Sequence, residues 1–213
     1  MTSVAELQTE TVQFPSDNFT IKAFLARPQS LTGQAPGIIV IQEWWGVNDH
    51  IKHIAQRLAR EGFVALAPDL YSRLGYKVTK DANEAGRLME SLSSQAALRD
   101  LNAATKFLQQ QSFVDPQHLG VVGFCMGGTF ALMMATNNST IKASVPFYGK
   151  VPPIETMNYL LCPVLYHRGG KDGWVTSQEA DRLKEGLAKF GGGARRDASR
   201  HPESRSTPPE PGT

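Results

Sequence analysis

Short runs that are apolar from end to end, each set off by helical sequence, constrain this chain most. They are GIIVIQE (37–43), FVALAPDLY (63–71), HLGVVGF (118–124), KASVPFYG (142–149) and CPVLYHRGG (162–170). A sheet with one wet face alternates apolar and polar residues, whereas a strand covered on both sides reads as a continuous apolar run. The stretches between the runs carry helical spacing. Ile51, Ile54, Ala55, Leu58 and Ala59 form one stripe that starts at Asn48 and closes at Gly62. Leu88, Leu92, Leu98, Leu101, Ala104 and Leu108 do the same within 81–111, and MGGTFALMMAT opens a further helix. TSQEADRLKEGLAKF (176–190) has a Thr or Ser cap, leading acids and a terminal glycine, the signature of one more. Such alternation predicts an α/β fold, a mostly parallel sheet with helices on both faces. Ligands then sit at the carboxyl ends of the strands. Ahead of this, TVQF, a PSDN turn and FTIKAFLA predict an antiparallel hairpin over 11–26.

With 213 residues, 41% hydrophobic and 20% charged, one domain with a substantial core is expected over 1–190. Residues 191–213 contain no Val, Ile, Leu, Met, Phe, Trp, Tyr or Cys. That tail cannot bury a core strand and reads as a disordered segment. A net charge of +2, with no basic stripe, argues against nucleic acid as a partner. No apolar run nears the roughly 20 residues that span a bilayer, and the N-terminus lacks a signal-peptide pattern. The expectation is a cytoplasmic monomer without a membrane partner. Cys125 and Cys162 form neither a disulfide framework nor a metal knuckle, and no metal or organic cofactor is implied. Cys162 opens an apolar strand and reads as a small buried hydrophobe.

Cys125 is different. In GFCMGG it falls where a strand ends and a helix begins, with Gly123 two residues before and Gly127 two residues after. This is the pattern of a nucleophile on a strained strand-to-helix turn, with Cys in place of Ser. A side chain at either glycine would collide with a neighbouring element. A thiol there also meets the exposed amides of a helix N-terminus, which favour the thiolate and can hold an oxyanion. Taken alone, the stretch is equally a buried cysteine before a glycine-rich helix.

A nucleophile needs a base and a group to orient it. In this architecture the acid and then the histidine follow the nucleophile along the chain. Asp172, in HRGGKDGWV just past the CPVLYH strand, fits the acid, although a lone loop Asp is also an ordinary turn residue. Of the five histidines only His201 follows it, and no strand precedes His201 to carry it. Glu43 ends an apolar strand, where a charge needs a partner unless the loop is solvated. Trp44 and Trp45 read either as the lining of an apolar acyl pocket or as core aromatics.

GFCMGG, QEWWGVN (42–48), APDLY (67–71) and HRGGKDGWV (167–175) together resemble the dienelactone hydrolase family of the α/β-hydrolase superfamily, over about residues 10–190. The resemblance implies Cys125 as nucleophile and Asp172 as triad acid, while His201 is the candidate base from its order along the chain. It makes Glu43 the buried glutamate that contacts the resting cysteine and helps generate the thiolate. The amides of Met126 and Trp44 fall where the family builds its oxyanion hole, and Trp45 falls at the substrate. The implied reaction is hydrolysis of a small-molecule ester or lactone, such as ring opening of a dienelactone to maleylacetate, through an acyl-enzyme. Two departures stand out. Where the family holds a substrate carboxylate with arginines, this chain has Ala82, with Arg87 a turn away, and Arg205 at the family offset from His201. The family's final strand, histidine loop and helix are replaced by the 191–213 segment, whose composition matches a frameshifted reading. The alternative reading is therefore a catalytically impaired α/β-hydrolase-like domain acting as a binding module or arising from a damaged gene.

Overall fold

The structure, a computed structural model, describes residues 6–153, 155 and 160–190. The expected hairpin is present and longer than the alternation suggested. Strand β1 (Leu7–Ser16) pairs antiparallel with β2 (Phe19–Pro28) from Leu7↔Pro28 to Ser16↔Phe19. A two-residue turn closes it, with Asp17 at φ 51°, a backbone region that Asp tolerates in such hairpin turns. The apolar runs then supply β3 (Ala35–Ile41), β4 (Val64–Pro68), β5 (Val114–Phe124) and β6 (Ile141–Phe147). The sheet order is β1-β2-β4-β3-β5-β6. Pairing is antiparallel as far as β2–β4 and parallel from β4 through β3 and β5 to β6.

Helices α1 (Asp49–Arg60), α2 (Ala82–Ser91), α3 (Ser94–Gln109), α4 (Met126–Asn137) and α5 (Ser177–Phe190) fill the connections. Side chains on each strand alternate between two apolar clusters, as a pleat requires. Val40, Ala65 and Ala67 meet Ile51, Ala55 and Ala59 of α1. Ile39, Ile41, Leu66 and Val121 meet Leu101 and Leu108 of α3, with Phe130 of α4 and Leu183 of α5 in the same cluster. Both faces of the sheet are thus covered, which is why its strands are apolar throughout. Asn48 caps α1 by accepting from the Ile51 amide at 3.1 Å.

One expected strand is interrupted. The run predicted over 162–170 joins β6 only through two parallel bridges, Ser144↔Val164 and Phe147↔His167. Bonds run from the Leu165 amide to Ser144 O and from the His167 amide to Pro146 O, both at 2.9 Å. The next rung would need an N–H at position 146, and proline has none. Cys162 is buried, as its apolar setting suggested.

The hairpin is fixed to the body by Arg73, in a short 3-10 turn (Ser72–Leu74). Its guanidinium donates to Asp100 of α3 at 2.9 and 2.7 Å, to Asp17 at the hairpin tip at 3.2 Å, and lies 4.3 Å over the Phe19 ring. Among the described residues no helix is long and apolar enough to cross a membrane.

Candidate functional site

Cys125 stands between the last residue of β5 and the first of α4, at φ 54° and ψ −120°. A non-glycine residue in that region is strained, and the surroundings hold it there. The Cys125 amide donates to Phe147 O of β6 at 3.0 Å, and its carbonyl accepts from Gly128 at 2.9 Å. The expected collisions are real. A Cβ on Gly123 would lie 2.0 Å from Gly127 O, and one on Gly127 would lie 2.5 Å from the carbonyl oxygens of both Ile41 and Gln42. Only bare backbone lets the helix start close enough to β3 and β5 to present the half-buried sulfur.

Several groups from different loops converge on that sulfur. The backbone amides of Met126 and Trp44 lie near enough to favour its thiolate, and the Glu43 and Asp172 carboxylates act on it electrostatically. The balance of these influences sets the thiol's charge. Burial is the largest influence and pushes the thiol up, Glu43 and Asp172 add to the rise, and the two amides only partly oppose it. The outcome is about 11, from an ordinary 9.0. The helix N-terminus acts in the expected direction, but desolvation outweighs it. The thiol is therefore protonated near neutrality.

Glu43 is half-buried rather than buried. Strand β3 ends at Ile41, so Glu43 lies in the following loop, and its Oε1 accepts from the Tyr148 hydroxyl at 3.2 Å. The buried residue is its neighbour Gln42, whose Oε1 accepts from the Leu70 amide at 3.1 Å. The Trp44 and Trp45 rings meet edge to face with centroids 4.9 Å apart. The Trp44 carbonyl accepts from the Tyr71 hydroxyl at 2.9 Å and the Trp45 carbonyl from the Thr79 amide at 3.1 Å.

Asp172 lies beyond the bridged run after β6. Its Oδ1 accepts from the amides of Trp174 and Val175 at 2.8 and 3.1 Å, so it does the work of a turn residue while standing near the thiol. Arg87 is exposed on α2. His201, Arg205 and the whole of 191–213 lie outside the described residues. Of the other histidines, His118 bonds to Asp115 at 2.7 Å and His167 stacks on Phe147 with centroids 4.4 Å apart.

Tyr148 and Tyr71 escaped the sequence reading as site residues. Both stand just past the carboxyl ends of strands, β6 and β4, and both sat in quoted runs, KASVPFYG and FVALAPDLY. A phenol at such an edge was the available signal. Burial is the main influence and pushes both hydroxyls well above the ordinary range, with nearby acids adding to it, Glu43 for Tyr148 and Asp69 for Tyr71. Both therefore remain donors at any ordinary pH.

A parallel sheet whose loops meet at a strained cysteine between β5 and α4 is the arrangement of the α/β-hydrolases. Within that class the model of the "Dienelactone hydrolase family" matches residues 21–197. A Bradyrhizobium protein named "Probable 2-oxo-3-(5-oxofuran-2-ylidene)propanoate lactonase" is 36% identical over 73% of this chain and 66% of its own length. A Synechocystis protein named "Putative carboxymethylenebutenolidase" is 33% identical over 87% of this chain and 80% of its own. The crystal structure of a "Putative Dienelactone Hydrolase" from Klebsiella pneumoniae superimposes with a TM-score of 0.82, at 28% identity, covering 89% of this chain and 83% of that one. The chain belongs to the dienelactone hydrolase family, and it spans about two thirds of the Bradyrhizobium lactonase.

Proposed function

We propose that the chain hydrolyses small ester or lactone substrates, dienelactones included, with Cys125 as nucleophile. The observation that carries this is the strained Cys125 with two backbone amides near its sulfur, that of Met126 at the start of α4 and that of Trp44 in the loop after β3. Because the resting thiol is neutral, its proton must leave as the substrate arrives. Glu43 is the nearby carboxylate to accept it, with Tyr148 holding that carboxylate in place. The thiolate sulfur then bonds to the carbonyl carbon. The carbonyl π electrons move onto oxygen, where the two amides stabilise the developing charge. Collapse expels the alkoxide or enolate, which takes up a proton, and leaves a thioester. In a lactone the expelled oxygen remains part of the acyl chain. Water, deprotonated by a histidine that Asp172 orients, attacks the thioester and regenerates the thiol. His201 is the residue assigned that last task, and it lies past Asp197, where the family match ends. Trp45 lines the acyl side, and Arg87 and Arg205 are the cations assigned to a substrate carboxylate. The working unit is residues 1–190, with 191–213 as a separate tail.

Iodoacetamide titration tests this. Hydrolysis of an aryl ester and of a dienelactone should fall in step with modification of Cys125, followed by mass spectrometry. Activity that survives complete modification overturns the assignment.

A second reading, an impaired hydrolase-like domain, is favoured by one observation: the segment holding His201 contains no large apolar residue with which to dock it. It predicts a thiol that alkylates normally in a chain that turns over no ester.

A further inference from the structure

The two amides beside Cys125 belong to different elements, the start of α4 and the loop after β3, and a single side chain touches both residues that carry them. The Tyr71 hydroxyl donates to the Trp44 carbonyl at 2.9 Å and stands 3.9 Å from the Met126 sulfur. The phenol has one proton, and the carbonyl is the nearer and better acceptor. The thioether is therefore a packing neighbour. Tyr71 is fully buried and is itself fixed along its backbone. Its amide donates to Asp69 Oδ1 at 2.9 Å, and its carbonyl accepts from the amides of Leu74 and Tyr76 at 2.8 and 2.9 Å. Next to it, the Leu70 amide donates to the buried Gln42 side chain at 3.1 Å. Consecutive residues after β4 thus grip both ends of the Gln42–Trp44 stretch. Tyr71 holds Trp44 at its carbonyl, which fixes the peptide plane that follows Trp44 and so limits how far the residue carrying the N–H can shift.

We infer that Tyr71 is the positioning residue that sets the Trp44 and Met126 amides in register on the reacting atoms, by tying Trp44 through its carbonyl and packing on Met126. It touches neither sulfur nor substrate and acts through those two residues. The inference rests on the oxyanion role proposed for those amides. An anion at this position needs its donors within a few tenths of an ångström, and a loop carrying two large aromatic side chains does not hold an amide that well without an anchor.

Tyr71→Phe tests it, since the ring remains to fill the core and only the hydroxyl is lost. The amides stabilise the thiolate, so misaligning them should slow Cys125 alkylation by iodoacetamide about fivefold at mildly alkaline pH and shift the alkylation pH profile upward. Acylation by an aryl ester should slow about tenfold with KM little changed, less than the 100-fold or more of a deleted donor. Tyr76→Phe is the control, because it removes a phenol-to-carbonyl bond of 3.0 Å, to Thr20, on the exposed hairpin and should leave both rates alone. If Tyr71→Phe lowers thermal stability but keeps the wild-type alkylation profile and acylation rate, Tyr71 is only structural and the inference is wrong. If Cys125→Ala retains wild-type hydrolysis, the catalytic reading fails instead, and the alkylation profile still decides whether Tyr71 sets the amides.

Discussion

The Tyr148 hydroxyl donates to Glu43 Oε1 at 3.2 Å, joining loops 105 residues apart in the chain. Tyr148 holds this position with φ at 41°, in the same left-handed region as Cys125. The carboxylate it holds is one of the groups that push the thiol up.

Replacing Glu43 should therefore move two measurements in opposite directions. Glu43→Gln removes a negative charge beside the sulfur, lowers the thiol's pKa and speeds alkylation of Cys125 near neutral pH several-fold. Ester hydrolysis should fall by about 10- to 100-fold, because the group assigned the thiol proton is gone. Parallel alkylation and turnover assays check both signs.

The wild-type thiol should respond steeply to pH. With its value at about 11, the thiolate fraction rises about tenfold for each pH unit through the neutral and mildly alkaline range. Alkylation in the absence of substrate should follow that slope without a plateau near the ordinary 9.0. A plateau there would mean that burial and Glu43 do not govern the sulfur.

Asp69 makes stability depend on pH. Burial, only partly offset by the Tyr71 amide and by Lys22, raises it from 3.8 to about 6. Between those values the folded chain binds a proton that the unfolded chain has released. The contribution is complete below 3.8 and lost as pH rises through about 6. Asp69→Asn keeps an oxygen for the Tyr71 amide and removes the charge. Denaturation at neutral pH should show the variant more stable by about 1–3 kcal/mol, with the acid-side slope flattened.

Asp100 and Asp17 share Arg73 yet should not matter equally. The Asp100 side chain is 1% exposed and takes two bonds from the guanidinium, while Asp17 is 47% exposed. Asp100→Ala leaves the guanidinium without its buried partner and should cost about 3–5 kcal/mol. Asp17→Asn, which keeps a residue suited to the positive φ of the turn, should change urea unfolding little, since solvent screens that pair.

The sheet was legible because it is written in long-wavelength pattern. Ile39, Val40 and Ile41 are apolar in succession only where both faces are covered, and the capping Asn48 and the glycines of GFCMGG are local signals. What escaped depends on residues distant in sequence. Pro146 interrupts the partner of another strand rather than its own, so the 162–170 run read as unbroken. Tyr71 and Tyr148 point their hydroxyls at loops that no periodicity encodes. The balance at the thiol was only half legible, because a helix N-terminus is visible in sequence, whereas the depth at which Cys125 sits is a property of the assembled fold.

The missing rung at Pro146 also bears on how evenly the molecule resists opening. Cys125 follows directly on β5, which pairs residue by residue with β6 from Gly120 to Phe124, whereas Asp172 follows a run joined to β6 by two bridges. Local unfolding is expected first where backbone bonds are fewest. In amide hydrogen exchange, Leu165 and His167 should therefore lose their protons well before Val121 and Val122 of β5. Asp172 and Cys125 would then belong to separate cooperative units, one loosening while the other remains intact.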